Sequence, residues 1–316
     1  MLDEVAALAH RLLGTQPGRI DPVGGGGNNR IYRVELAGGP VALKGYRVDD
    51  GDTRDRLGQE WAALSLVSRH LPESVPQPIA CDRSAGWAAY EWVAGEKIGA
   101  ASESDIDAAV AFLGRLLDLR HDPGAAGLSL ASEACLSLSE LSAQIGRRLD
   151  RLAGIEAISP FLGQVRETFA LLAGDGPELP PGLRILSPSD FGFHNALRRP
   201  DGQLVFLDFE YFGWDDPAKL ASDIHWHPGM ALTPAQRARF ALGLEGVFGG
   251  DPGYRERLPR YRPLIGLRWC LILLNEFLPA GLARRRHAGR AEDAEAARNR
   301  QLAKARALYS EVVEGL

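Results

Sequence analysis

Cysteine is scarce in this chain. Three residues, Cys81, Cys135 and Cys270, lie far apart among 316, and no two have the spacing of a metal knuckle, a redox pair or a disulfide framework. Long apolar runs are missing as well: the greasiest stretch, Trp269 to Leu274, falls far short of the ~20 residues that cross a bilayer. No membrane partner is therefore expected. The first residues include Asp3 and Glu4 where a signal peptide would have a basic start and an apolar run, so a reducing, cytoplasmic home is expected. A net charge of -5 leaves no basic surplus for wholesale nucleic-acid binding. Internal repeats and low-complexity linkers are absent too. With 45% hydrophobic and 24% charged residues, the rest has an ordinary globular composition, long enough for one large domain or two modest ones.

Chemistry concentrates between Arg184 and Tyr211, which reads RILSPSDFGFHNALRRPDGQLVFLDFEY. Two short apolar runs, Ala196-Leu197 and Leu204 to Leu207, flank a segment whose Pro200-Asp201-Gly202 is turn chemistry. A hairpin is predicted, with Asp190 and Asn195 just before its first strand and Asp208 ending its second. One carboxylate, an amide five residues on and a second carboxylate thirteen residues later are thereby held together. Oxygen donors suit a hard cation such as Mg²⁺ in the company of phosphates. An amide and one carboxylate can hold the metal, leaving the other carboxylate to orient or deprotonate a hydroxyl.

The spacing Asp190-x4-Asn195-x12-Asp208, with the local wording DFGFHNAL and VFLDFEYFGWDDPAKLASD, resembles the aminoglycoside phosphotransferase/choline kinase family. The resemblance implies a kinase-like fold in which Asp190 is catalytic and Asn195 and Asp208 bind metal. The chain departs from the family at Pro188, where a histidine is usual, and the geometry of this loop is the point most affected. The family also implies that Glu210, two residues after Asp208, assists a metal or a surrounding hydrogen bond, and that Asp223 steadies the catalytic loop.

Upstream, Val5, Leu8, Leu12 and Leu13 have a helical period ended by Gly14. Gly24 to Gly27 then precede Asn28, Asn29 and a strand-like run. Such a turn is either an ordinary mobile loop or one whose backbone N–H groups approach phosphates; the resemblance favours the second and assigns Gly25, Gly26, Gly27, Asn28 and Asn29 to the nucleotide. Alternation over Val41 to Lys44 puts Val41 and Leu43 on one face of a strand, Ala42 and Lys44 on the other. Lys44 is a solvated strand-end lysine or a phosphate contact. Arg54 to Leu71 reads as a helix with Leu57, Trp61 and Leu64 on one face. Glu60 at its flank is either solvated or the family's partner of the strand lysine. A second hairpin spans Ile79 to Trp92, and the family places adenine at the backbone near Glu91 and Val93.

Downstream the pattern is helical: about 102–119, 132–153 and 159–172, then a helix opened by Asp215-Asp216-Pro217 and helix after helix from Thr233. His225-Trp226-His227 looks metal-like, but residues two apart on a helix do not share a face; lining a substrate site is the sharper alternative. Arg284, Arg285, Arg286, His287 and Arg290 form a basic cluster, either solvated or hinting at an anionic acceptor or partner. The last helix, with Leu302, Ala305, Tyr309 and Val312, either packs on its own chain or mediates a homodimer, so monomer and homodimer stay open. The expectation is a two-lobed protein-kinase-like α+β fold, a small antiparallel-sheet lobe over residues 1–94 and a large helical lobe over 95–316. The implied activity is transfer of the γ-phosphoryl of ATP, with Mg²⁺, to a hydroxyl of a small molecule. A kinase-like nucleotide-binding regulator without turnover is the alternative.

Overall fold

A computed structural model describes residues 2–24, 29–46, 54–279 and 293–316. The chain opens with helix α1 (Leu2–Leu13), stopped by Gly14 at φ +68°. Strands β1 (Ile20–Val23), β2 (Arg30–Leu36) and β3 (Gly39–Gly45) follow as an antiparallel meander. Helix α2 (Arg56–His70) begins where the Asp55 carboxylate accepts the Gly58 N–H at 2.8 Å. Strands β4 (Pro78–Asp82) and β5 (Trp87–Glu91) complete a five-stranded sheet of order β1-β2-β3-β5-β4. The alternation expected of β3 is present. Val41 and Leu43 join Tyr32, Val34 and Ala89 in a cluster closed by Val5, Leu8 and Ala9 of α1, while Ala42 and Lys44 face a cavity.

After β6 (Glu96–Lys97), a Ser102–Asp105 capping box opens α3 (Glu103–Leu119). Helices α4 (Leu138–Leu152) and α5 (Ser159–Leu172) follow, then β7 (Ile185–Ser187). The α4 start corrects the expected one near residue 132. Glu133 sits at φ +61°, outside helical backbone, and the Ser137 hydroxyl caps Glu140 N at 3.1 Å, so Ser137 defines the first turn. The hairpin expected around Pro200-Asp201-Gly202 is β8 (Ala196–Arg198) and β9 (Leu204–Phe206), in the register Ala196↔Phe206, with Gly202 at φ +90° in the turn. Beyond β10 (Gly213–Asp215) the chain is helical: α6 (Pro217–Trp226), α7 (Pro234–Phe248), α8 (Tyr254–Leu273) and α9 (Ala294–Glu314). Among the described residues no helix is long and apolar enough to cross a membrane.

Two compact units result. One comprises Met1–Ser132 with Pro188–Gly213, the other Glu133–Ser187 with Trp214–Leu316. The boundary expected near Gly95 falls inside the first unit, because β6 pairs with β8 and α3 packs under the hairpin. There Phe112 stacks on Phe206 at a centroid distance of 4.5 Å and lies 5.9 Å from Phe191. In the second unit α8 is the central helix, with Tyr261, Leu264, Ile265 and Leu271 buried. It carries α9 through Ala305 and Val312, and Tyr309 bonds Thr168 of α5 at 2.7 Å. That is the own-chain packing expected of the last helix. A knot of buried charges also lies in this unit: Lys219 reaches Asp215 at 2.7 Å and Asp223 at 3.2 Å, and Arg268 grips Asp223 at 2.7 Å.

Phe112→Ala empties the platform beneath the hairpin, and the expected loss is about 3–5 kcal/mol of stability. Urea unfolding of the two proteins measures it directly.

Candidate active site

The first unit encloses a cavity of about 360 Å³ lined by Ile31, Ala42, Lys44, Tyr90, Val93 and Leu207, with Asn195 and Asp208 at one side. This size is within the range of small-ligand sites. Apolar walls come from the inner face of β2, β3 and β5 because alternation sends Ala42 and Lys44 to the same side. Ala42 pairs with Tyr90 across the ladder, which brings the tyrosine to that side too.

Lys44 is only 6% exposed. Its ammonium lies 2.6 Å from Glu60 Oε2 and 2.6 Å from Asp208 Oδ1. Burial alone would lower the lysine pKa, but Asp208, Glu60 and Glu210 together raise it well above the ordinary value, so the group is a permanent cation. Glu60, expected as its partner, comes from α2 and is 3% exposed. Its Oε2 also accepts the Tyr46 hydroxyl at 2.7 Å, and its Oε1 accepts the Phe209 N–H at 3.3 Å. One carboxylate thus ties the sheet to the residue after Asp208.

Asp208 stands at φ +65° and Ser189 at φ +66°, left-handed backbone that a residue with a side chain adopts only when its surroundings hold it there. The loop that carries Asp190 is held by several bonds. Ser189 Oγ donates to Ser132 O at 3.0 Å, Asp190 N donates to Pro188 O at 2.9 Å, and Asn195 Nδ2 donates to Asp190 O at 3.0 Å. Pro188 thus sits in a loop supported by its neighbours. The Asp190 carboxylate meets His194 Nε2 at 3.3 Å on one oxygen and Asn195 Nδ2 at 3.4 Å on the other. Leu207 N donates to Asn195 O at 2.8 Å, joining the loops of Asn195 and Asp208.

Asn29 is present at the site, donating to Glu210 Oε2 at 2.6 Å, while its own Oδ1 is buried without a partner among the described residues. Glu210 also lies 3.8 Å from Arg56. Glu91 and Val93 line the cavity, and the Glu91 side chain is engaged by Gln77 N at 3.3 Å and Arg199 at 3.2 Å. Gly25, Gly26, Gly27 and Asn28, and the basic cluster of Arg284 to Arg290, lie outside the described residues. In the second unit, Asp223 is bound by Arg268, Lys219 and Trp269 Nε1. His225 is driven down to about 4 by burial and by Arg262 and Arg237, whereas the His227 ring packs on Trp269 at 4.4 Å. Sequence reading missed Tyr46, Tyr90, Ser189 and His194; only His194, beside Asn195, carried a local signal.

Carboxylate oxygens of Glu60, Asp208 and Glu210 lie within 4.8 Å of one another. They form an all-oxygen donor set, and two of its acids share a lysine already acting as counter-cation. These residues fit a hard divalent ion and do not resemble a nitrogen or sulfur site.

Solved structures share this architecture. Spectinomycin phosphotransferase APH(9)-Ia, in complex with ADP and spectinomycin, aligns with a TM-score of 0.64 at 12% identity over 97% of this chain and 98% of that one. Macrolide 2′-phosphotransferase MphH from Brachybacterium faecium gives 0.62 at 18% identity, covering 92% and 99%. Choline kinase LicA from Streptococcus pneumoniae gives 0.60 at 15%, covering 98% and 99%. At such identities the likeness defines the fold: a two-lobed, kinase-like α+β architecture. A family model described as "Phosphotransferase enzyme family" matches residues 19–260, and the chain belongs to that family. No curated protein matches the chain.

Lys44→Met removes the charge while keeping most of the volume, leaving Glu60 buried without its cation. Such a break costs about 3–5 kcal/mol at neutral pH. Burial already raises the Glu60 pKa, with Lys44 pulling against it; losing Lys44 enlarges the rise. Stability from an acid with a raised folded pKa is complete below its unfolded value and is lost as pH rises through the folded one. The deficit of Lys44→Met should therefore shrink between about pH 7.5 and about pH 5 in parallel urea titrations.

Proposed function

We propose that this chain transfers the γ-phosphoryl group of ATP to a hydroxyl of a small molecule, with Asp190 as the catalytic base. The observation that carries the reading is the buried Lys44 ammonium shared by Glu60 and Asp208 at the wall of a nucleotide-sized cavity. The bound ADP of the spectinomycin phosphotransferase supports nucleotide use in this fold.

Asn195 and Asp208 would hold Mg²⁺, which neutralises phosphate charge when bound. Lys44 contacts the phosphates, kept in place by Glu60. The backbone near Glu91 and Val93 takes the base edge, and Asn29, with Gly25, Gly26, Gly27 and Asn28, belongs to the phosphate loop. Asp190 orients the acceptor hydroxyl and takes its proton. The new bond joins the hydroxyl oxygen to the γ-phosphorus, and the bond between that phosphorus and the leaving ADP oxygen breaks. His194 and the Asn195 amide keep the Asp190 carboxylate turned while this happens. Little covalent work is left to the protein, so position and charge carry the rate.

ATP consumption measured over a panel of hydroxylated small molecules tests the proposal. Asp190→Asn should lower turnover ~10²–10⁴-fold while ADP still binds, and chelation should abolish activity that added Mg²⁺ restores. Silence with every acceptor alongside tight Mg-ATP binding would leave a nucleotide-binding regulator instead.

A further inference from the structure

Three buried oxygens line up behind the cavity. Tyr90 OH and Tyr46 OH are 2.6 Å apart, and Tyr46 OH is 2.7 Å from Glu60 Oε2. Both tyrosines are almost wholly buried, at 4% and 9% exposure. Burial, then the Glu60 charge, raises the Tyr46 pKa well above its ordinary value, so the hydroxyl keeps its proton. The direction of the chain follows by counting protons. Glu60 accepts from Lys44 and Tyr46 on one oxygen and from Phe209 N–H on the other, so it has the pattern of an ionised carboxylate. Tyr46 spends its single proton on Glu60 and must accept from Tyr90, which leaves Tyr90 as the first donor.

Each end of this chain matters to the site. Tyr90 lines the cavity. Glu60 holds Lys44 and the backbone following Asp208. The Tyr46 ring also lies under the Lys44 ammonium, 5.1 Å from centroid to nitrogen. Lys44 and Tyr46 are two residues apart at the end of β3, so strand alternation turns both toward Glu60. Without the hydroxyl, only Lys44 and the long Phe209 N–H bond restrain the carboxylate's last torsion, a broad two-fold well.

We infer that Tyr46 is a positioning residue of the nucleotide site: its hydroxyl, directed by Tyr90, locks the Glu60 carboxylate that holds Lys44 and the Asp208 loop in register. Its effect on phosphoryl transfer rests on the function proposed above, but the lock itself is testable without turnover.

The chain has four lysines, Lys44, Lys97, Lys219 and Lys304. Acetylation by a small amine-reactive ester, followed peptide by peptide by mass spectrometry, therefore reads Lys44 directly, with buried Lys219 as an internal gauge of global folding. In Tyr46→Phe, Lys44 should label several-fold faster while Lys219 keeps its wild-type rate, and ADP with Mg²⁺ should bind about ten-fold more weakly. If Tyr46 acts through Glu60, adding Tyr46→Phe to Glu60→Gln should change little further; effects that multiply across the two sites would overturn the inference. So would an unchanged Lys44 rate in Tyr46→Phe. Should that variant loosen globally and expose Lys219 too, Tyr90→Phe decides. It removes only the upper bond, so faster Lys44 labelling at constant Lys219 supports the lock, and no change refutes it. A lock upheld by labelling in a protein that phosphorylates nothing would sink the proposed function alone.

Discussion

A buried ammonium cannot be left unpaired, and the arrangement of the first unit follows from that constraint. Desolvating a lysine costs several kcal/mol unless carboxylates stand beside it, so Lys44 draws Glu60 from α2 and Asp208 from the end of the hairpin to the same point. Three stretches far apart in the chain thereby meet. The charge is also useful, because a fixed cation at a cavity wall needs no reorganisation when an anionic ligand arrives. Asp208 keeps a left-handed backbone for the same reason: its strain is offset by the contact that the conformation allows.

The second unit shows the same physics. Lys219, Arg268, Asp215 and Asp223 neutralise one another in the interior. Burial alone would raise the Asp223 pKa, yet Arg268 and Lys219 hold it below the usual carboxylate range. Cys135 beside them is pushed up to about 12 by burial, which makes it an inert thiol. Cys270, also buried in this unit, is pushed up to about 12 in the same way.

Much of this was legible in the residues because the signals were local. Pro200-Asp201-Gly202 marked the hairpin, and period-two alternation placed Ala42 and Lys44 on the cavity side. Ser102 and Asp216 sit at the caps that open α3 and α6. The family resemblance implied a Lys44–Glu60 pair, and the two groups lie 2.6 Å apart. What stayed hidden depends on partners remote in sequence. Nothing around Ser189 announces Ser132, and nothing around Asn29 announces Glu210, 181 residues away. The late start of α4 was hidden by a different cause: the apolar spacing continues upstream of Ser137, but the backbone at Glu133 is not helical.

Gly45 sits between Lys44 and Tyr46, and a methyl group there would stand 2.7 Å from the Trp87 indole. The strand therefore has no slack at Gly45 on the side where Trp87 packs. Insertion or deletion of one residue between Gly39 and Tyr46 would exchange the two sides wholesale, sending the ammonium into the oily packing of α1 and Val41 into the wet cavity. The Pro200-Asp201-Gly202 turn, exposed and bonded chiefly to itself, is under no such constraint. Length variation among proteins built on this plan should accordingly accumulate at that turn and be purged from the third strand.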